Sequence, residues 1–257
     1  MNRIENAFKN KPIFMPYFPL GYPDLDTSID VIEALAKNGA DLIEVGLSFS
    51  DPLADGPVIQ KATQIALEKG ITVRKSLTAV AELRRRGVSI PLILMGYFNP
   101  ILAYGLEQFI QDACQAGADG FIIPDLPLEE AGEFEGLAGE MPLIQMLAPT
   151  SPDERMEAVV RSARGFVYLV SVTGVTGART SISDGLDGLI ARVRRHTSVP
   201  VCVGFGISTP EQARQVGALA DGVIVGSACV RTIGESKKPV ETARHFAVEY
   251  RDALFQK

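Results

Sequence analysis

Short, continuous apolar runs alternate with segments of helical hydrophobic periodicity along nearly the whole chain. The runs cover 13–17, 42–45, 91–95, 121–123, 143–146, 166–170, 199–203 and 223–225. They are unbroken rather than alternating, as expected of strands covered on both faces. The segments 28–38, 77–86, 106–116, 155–163 and 186–196 read as amphipathic helices. In 28–38, Ile29, Ile32, Ala34, Leu35 and Ala36 fall on one face. Strands that alternate with helices require right-handed crossovers and a parallel sheet. Eight of them, with no GxGxxG after the first, favour closure into a single (β/α)8 barrel over an open doubly wound sheet.

Punctuation recurs in step with the pattern. "NGADLIEVG" (38–46), "AGADGFIIPD" (116–125) and "VGALADGVIVGS" (216–227) each read as helix end, turn and strand. Gly39, Gly117 and Gly217 suit the left-handed position that closes a helix. No linker or low-complexity tract interrupts the series, so residues 1–257 are expected to form one barrel domain. Two additions to the bare repeat are predicted. An extra N-terminal helix at 3–10 would plug the barrel floor. Between strands 2 and 3, the patterns at 59–69 and 73–86 make one helix more than the repeat needs.

Composition narrows the partners. The chain has 257 residues, 46% hydrophobic and 22% charged, enough to bury a large core. Its net charge of −6 argues against nucleic acid, which rewards clustered Lys and Arg. A phosphorylated metabolite stays open, because backbone amides bind phosphate without net positive charge. The polar N-terminus and the lack of a long apolar stretch predict a cytoplasmic chain. Cys114, Cys202 and Cys229 are an odd, scattered set, best read as free thiols.

Barrel chemistry gathers where strands end and in the loops that follow. Strand 2 carries Glu44 and runs into "SFSDPLADGP", which brings Asp51 and Asp55. Strand 3 ends at Tyr97, strand 4 at Asp125, and strand 6 carries Tyr168 before "VTGVTGART". No lysine falls on or just after a strand, so a Schiff-base mechanism has no nucleophile. His196 and His245 sit at or in helices, where they are structural, and no metal or Ser-His-Asp set assembles. Acid–base work therefore falls to carboxylates, with Tyr168 as a helper. Glu44 among Leu42, Ile43, Val45 and Leu47 is either a buried functional acid or a Glu turned outward to a helix cation. Buried charges are rare without a purpose, which favours the first. Asp51 and Asp55 could be turn formers alone. "GFGIS" (204–208) and "VGSA" (225–228) have the form of a phosphate site built on the last two strands, with Gly206, Gly226 and Ser227. The long stretch after strand 6 reads as a lid rather than a passive loop.

These residues carry a resemblance. "LIEVGLSFSDPLADGPVIQ" (42–60), "PYFPLGYPD" (16–24), "LMGYFNPI" (94–101), "IIPDLP" (122–127), "YLVSVTGVTGART" (168–180) and "VCVGFGIS" (201–208) are similar, in order, to the tryptophan synthase α-subunit family. The resemblance implies a TIM barrel that cleaves indole-3-glycerol phosphate to indole and glyceraldehyde 3-phosphate, as a lyase of tryptophan biosynthesis. By matching, Glu44 and Asp55 are the catalytic pair, and Tyr168 and the lid residue Thr176 support them. Gly177, Gly206, Gly226 and Ser227 hold the phosphate. Tyr17, Tyr97 and Phe205 line the pocket, with Tyr17 where some members have Phe. Asp51 lies at the partner interface. The implied partner is a β subunit carrying pyridoxal phosphate, in an α2β2 heterotetramer, and the chain itself needs no cofactor or metal. Three alternatives remain open at this stage: a regulatory subunit that mainly switches its partner, a free-standing lyase, and a distant phosphosugar isomerase or epimerase.

Overall fold

The computed structural model describes residues 2–170, 185–204 and 206–255. Eight parallel strands form one sheet: β1 (Ile13–Pro19), β2 (Ile43–Gly46), β3 (Leu92–Met95), β4 (Gly120–Ile122), β5 (Gln145–Leu147), β6 (Val167–Val170), β7 (Val201–Gly204) and β8 (Gly222–Val225). The order is β4-β3-β2-β1-β8-β7-β6-β5. The ring closes between β4 and β5, where Phe121 N donates to Pro142 O (2.9 Å) and Ile144 N donates to Phe121 O (2.7 Å). The predicted barrel is thus observed, and the strand positions agree with the apolar runs to within about two residues at most ends.

Both predicted additions are present. The helix α1 (Arg3–Ala7) buries Ile4, and Phe8 behind it packs on Phe166 at 5.9 Å, just before β6. That places α1 under the strand starts, on the floor. Between β2 and β3 stand α3 (Pro57–Glu68) and α4 (Val73–Arg85). The helix α2 (Leu25–Lys37) buries Ser28, Ile29, Val31, Ile32, Ala34 and Leu35, close to the predicted face. The wall continues with α5 (Phe98–Tyr104), α6 (Leu106–Ala116), α7 (Gly132–Ala138), α8 (Asp153–Ser162) and α9 (Leu186–Arg194). It ends with α10 (Pro210–Gly217), α11 (Ser227–Gly234) and α12 (Pro239–Phe255).

The repeated turns share a device at their aspartates. Asp41 N donates to Phe14 O (2.9 Å), and the Asp41 carboxylate accepts from Phe14 N (2.9 Å). Asp119 grips Leu92 and Asp221 grips Val201 in the same two-point way. Each carboxylate also meets cations: Arg251 at Asp41, Arg84 and Arg3 at Asp119, Lys11 and Arg194 at Asp221. Charge-assisted bonds of this kind pin strand starts in register.

One turn departs from expectation. Gly117 closes α6 in the left-handed region (φ 87°), and Gly39 also has positive φ (141°). Gly217 does not: it is the last residue of α10, and a Cβ there would stand 2.6 Å from Leu254 Cδ2 of α12. Its glycine serves a close helix contact rather than a turn.

Candidate active site

Strand alternation decides which side chains enter the barrel. A Cβ on Gly222 would meet Cys202, Ile13 and Met15, so these face inward. Two residues beyond Met15, on the same face, comes Tyr17, paired in register with Glu44. Glu44 is 1% exposed, and its Oε1 has no hydrogen-bond partner among the described residues. The outward reading of Glu44 is therefore ruled out. Burial alone pushes its carboxyl up to about 8. A buried acid with an unused oxygen is costly to keep, and such groups cluster at functional sites.

Asp55 stands on the loop between β2 and α3, half-buried, one residue before the helix N-cap Gly56. Burial pushes it up to about 6, while a hydrogen bond with the Tyr97 hydroxyl acts the other way. Tyr97 itself is buried, and its oxygen accepts from Ala54 N (3.0 Å), tying the loop to the end of β3. Phe49 packs on Tyr97 at 5.6 Å. Among the described residues, no cation contributes to the shift of either carboxylate. Near pH 7 Glu44 thus holds a proton while Asp55 is mostly ionised. A proton donor on β2 and an anion on the loop that follows it can serve as an acid–base pair.

Tyr17 and Tyr168 are both buried, and burial followed by neighbouring carboxylates pushes their hydroxyls well up. Glu44 and Asp55 act on both phenols, so four predicted residues share one electrostatic environment. Asp51 lies apart from them, exposed on the same loop, where Ser50 Oγ donates to it at 2.5 Å. Asp125 accepts from Phe98 N (2.9 Å) and so caps α5.

The two helix N-termini after β7 and β8 differ in a telling way. At α10, the Thr209 and Gln212 side chains form a reciprocal capping box, which occupies the helix's own donors. At α11 the N-cap is Gly226, which has no side chain to cap with, and the first internal bond runs from Val230 N to Gly226 O (3.1 Å). Among the described residues no side chain takes up the amides of 227–229, which suits them to another acceptor. Gly226 and exposed Ser227 start this helix, and Gly206 adopts φ 81°, which favours glycine. Thr176, Gly177, Phe205 and the expected lid at 173–180 lie outside the described residues.

Three features escaped the sequence reading. Phe49 sits within the quoted "SFSDPLADGP" stretch, but nothing in its spacing marks it as a wall for Tyr97. Gly46 and Gly204 end inward-facing strand tracks, and each leaves room for a tyrosine oxygen, Tyr17 and Tyr168 respectively. A surface groove of about 400 Å³ beside α9, bordered by Ile190, Arg194 and Leu219, shares none of the predicted site residues. Among the described residues, no group of three or more His, Cys, Asp or Glu is placed to hold a metal ion. No described helix is long and apolar enough to cross a membrane.

A closed parallel barrel with Glu44 buried on β2 and Asp55 on the loop that follows has the form of a (β/α)8-barrel enzyme. Comparison with known proteins agrees. The family described as tryptophan synthase alpha chain matches residues 4–254. The alpha chain of Chloroflexus aggregans is 49% identical over 90% of this chain and 89% of its own. That of Dehalococcoides mccartyi is 44% identical over 99% and 100%. Among solved structures, the alpha subunit of Legionella pneumophila superposes with a TM-score of 0.90 at 37% identity, covering 99% of this chain and 98% of that one. A chain of the M. tuberculosis tryptophan synthase, in an open form, gives 0.89 at 36% identity and 99% coverage of both. The chain belongs to the tryptophan synthase alpha-chain family, a family of carbon–carbon lyases.

Proposed function

We propose that the chain cleaves indole-3-glycerol phosphate to indole and glyceraldehyde 3-phosphate by a retro-aldol reaction, with Glu44 and Asp55 as its catalytic pair. The observation that carries this is the split in acidity between two carboxyls that act on the same pair of phenols, Glu44 near 8 and Asp55 near 6. Protonated Glu44 delivers its proton to indole C3. The positive charge created at the ring nitrogen is balanced by ionised Asp55, which accepts the indole N–H. The Glu44 carboxylate then takes the proton of the hydroxyl on the adjoining glycerol carbon. As that O–H pair becomes the aldehyde C=O, the carbon–carbon bond breaks and its electrons restore the neutral ring. Glu44 ends protonated, so the cycle closes without water. Tyr168 supports Glu44 from β6.

The phosphate sits at the α11 N-terminus, on the amides after Gly226 with Ser227, and Gly206 and Gly177 complete the cradle. Binding energy there orients the scissile bond. Tyr17, Tyr97 and Phe205 wall the indole, and Thr176 meets Asp55 on closure. The reaction requires no cofactor of this chain. A pyridoxal-phosphate β subunit, in an α2β2 assembly in the cytoplasm, receives the indole, docking near Asp51. The deciding experiment is to offer indole-3-glycerol phosphate and assay released indole. No indole with intact, folded protein would overturn the reading.

A further inference from the structure

We propose that the hydroxyl of Tyr17 is a positioning donor for Asp55: in the working site it hydrogen-bonds the carboxylate alongside Tyr97, keeping it ionised and aimed at the indole N–H. The inference rests on the role assigned to Asp55 above, and it concerns an oxygen that a phenylalanine at this position would lack.

Geometry fixes the phenol. Tyr17 of β1 pairs in register with Glu44 of β2, and Gly46 lies two residues further along β2 on the same face. The Tyr17 oxygen stands 2.3 Å, and its Cζ 2.7 Å, from where a Cβ on Gly46 would be. The hydroxyl is therefore carried over Gly46, on the mouth side of Glu44. The first turn of α3 reaches the same place. A Cβ on Gly226 would have Ile59 Cδ1 at 3.7 Å and Tyr17 Cβ at 3.9 Å. Ile59 lies in the first turn of α3, whose N-cap Gly56 directly follows Asp55, so the loop end that bears Asp55 enters the helix on the side where Tyr17 lies, and Asp55 acts electrostatically on the Tyr17 hydroxyl.

The surroundings give that hydroxyl work to do. Among the described residues, the ionisable groups sharing Asp55's surroundings are Tyr17 from β1, Glu44 from β2, Tyr97 after β3 with Asp125 behind it, and Tyr168 from β6. All are acidic or neutral. An anion in such a site depends on neutral hydrogen-bond donors. Tyr97 supplies one. Tyr17 is the other phenol on which Asp55 is the leading charged influence, and burial keeps it protonated throughout the working pH range.

The test uses the whole chain saturated with glycerol phosphate and reads the Asp55 carboxyl by ¹³C titration, with Asp55→Asn to assign the signal. Tyr17→Phe keeps the ring in its notch and removes the oxygen alone. The expected result is an Asp55 midpoint raised by about 0.5–1 pH unit, comparable with Tyr97→Phe. At pH 6, kcat for indole release should fall several-fold while KM stays within about twofold. A midpoint unchanged or lowered in Tyr17→Phe overturns the inference. The titration does not depend on turnover, so a wild-type chain that releases no indole would count against the functional reading separately.

Discussion

Gly204 and Tyr168 interlock across β7 and β6: the phenol oxygen lies 2.3 Å from where a Cβ on Gly204 would stand. Gly46 and Tyr17 repeat the arrangement across β2 and β1, at the same distance. Both glycines end inward-facing tracks, Gly46 two residues beyond Glu44 on β2 and Gly204 on β7, and both are fully covered. Real Cβ atoms do not approach oxygen so closely, and each tyrosine is held by packing on every side. Gly46→Ala and Gly204→Ala should therefore each cost about 1–3 kcal/mol through overpacking. Activity should fall further than stability, at least tenfold, because the displaced ring belongs to the site. Thermal melts and indole release measured on the same preparations check this. Normal turnover in either variant would mean the ring positions are not part of the machinery.

Gly226 offers the opposite case. A Cβ there would meet no described atom nearer than 3.7 Å, so packing among the described residues does not call for glycine at that point. If the residue is there for close approach of a phosphate, Gly226→Ala should leave the melting temperature unchanged and raise KM about tenfold or more. A drop in melting temperature with unchanged KM would move the phosphate elsewhere.

The acidities of the pair set a pH profile. Asp55 must be ionised, which gives an acid limb near 6, and Glu44 must hold its proton, which gives a basic limb near 8. The profile of kcat/KM should be a bell between them. Glu44→Gln should abolish cleavage and Asp55→Asn should impair it severely. Stability has its own signature. Glu44 is raised from 4.5 to about 8 in the folded chain, so its contribution is fully present below 4.5 and is lost as pH rises toward 8. Glu44→Gln has no proton to lose, and above pH 8 it should be more stable than wild type by a few kcal/mol, about 5 at most. Denaturant titrations at pH 5 and pH 8.5 show whether the advantage appears at the higher pH alone.

Much of this was legible from the chain. The apolar runs located all eight strands because a parallel barrel strand buries both faces, and the residue pattern has no other use. Glu44 stood out for the same reason, as a charge in a segment that tolerates none. The repeated turns read as punctuation through their glycines, not through their aspartates. The two-point grip of those aspartates on Phe14, Leu92 and Val201 depends on strand pairing, which spacing does not encode. Gly217 was misread because a glycine at a helix end looks alike whether it turns the chain or admits Leu254. The N-termini of α11 and α10 likewise differ in capping geometry that "GFGIS" and "VGSA" do not display.

The floor can be altered without touching the site. Asp221 joins Val201 N at 2.9 Å, Lys11 at 2.8 Å and Arg194 at 3.3 Å, at the end of the barrel opposite the catalytic groups. Asp221→Ala leaves a buried strand amide unpaired and should destabilise by about 1–3 kcal/mol. Its KM and kcat below the melting transition should match wild type. A selective loss of turnover would show that the floor and the mouth are coupled.

The rim makes the last prediction. Leu53 is 87% exposed at the tip of the loop that carries Asp51 on one side and Asp55 on the other. On the next loop round the barrel, Leu102 of α5 is 51% exposed, and Tyr97 ties the two loops together through Ala54. Apolar side chains held out at a rim are suited to a partner surface, and the proposed β subunit would cover the opening through which indole leaves. Docking on Leu53 would fix the loop that positions Asp55, so partner binding and catalysis share a physical link. The coupling must be reciprocal in binding free energy: a bound substrate analogue should tighten the complex by the factor by which the partner tightens the analogue. Leu53→Ser should weaken docking by about tenfold, about 1.4 kcal/mol, and leave the activity of the isolated chain unchanged. Asp51→Ala should reduce the activation given by the partner. Titrating indole release against purified β subunit reads both effects. A flat titration, with full activity in the isolated chain, would instead describe a lyase that works alone.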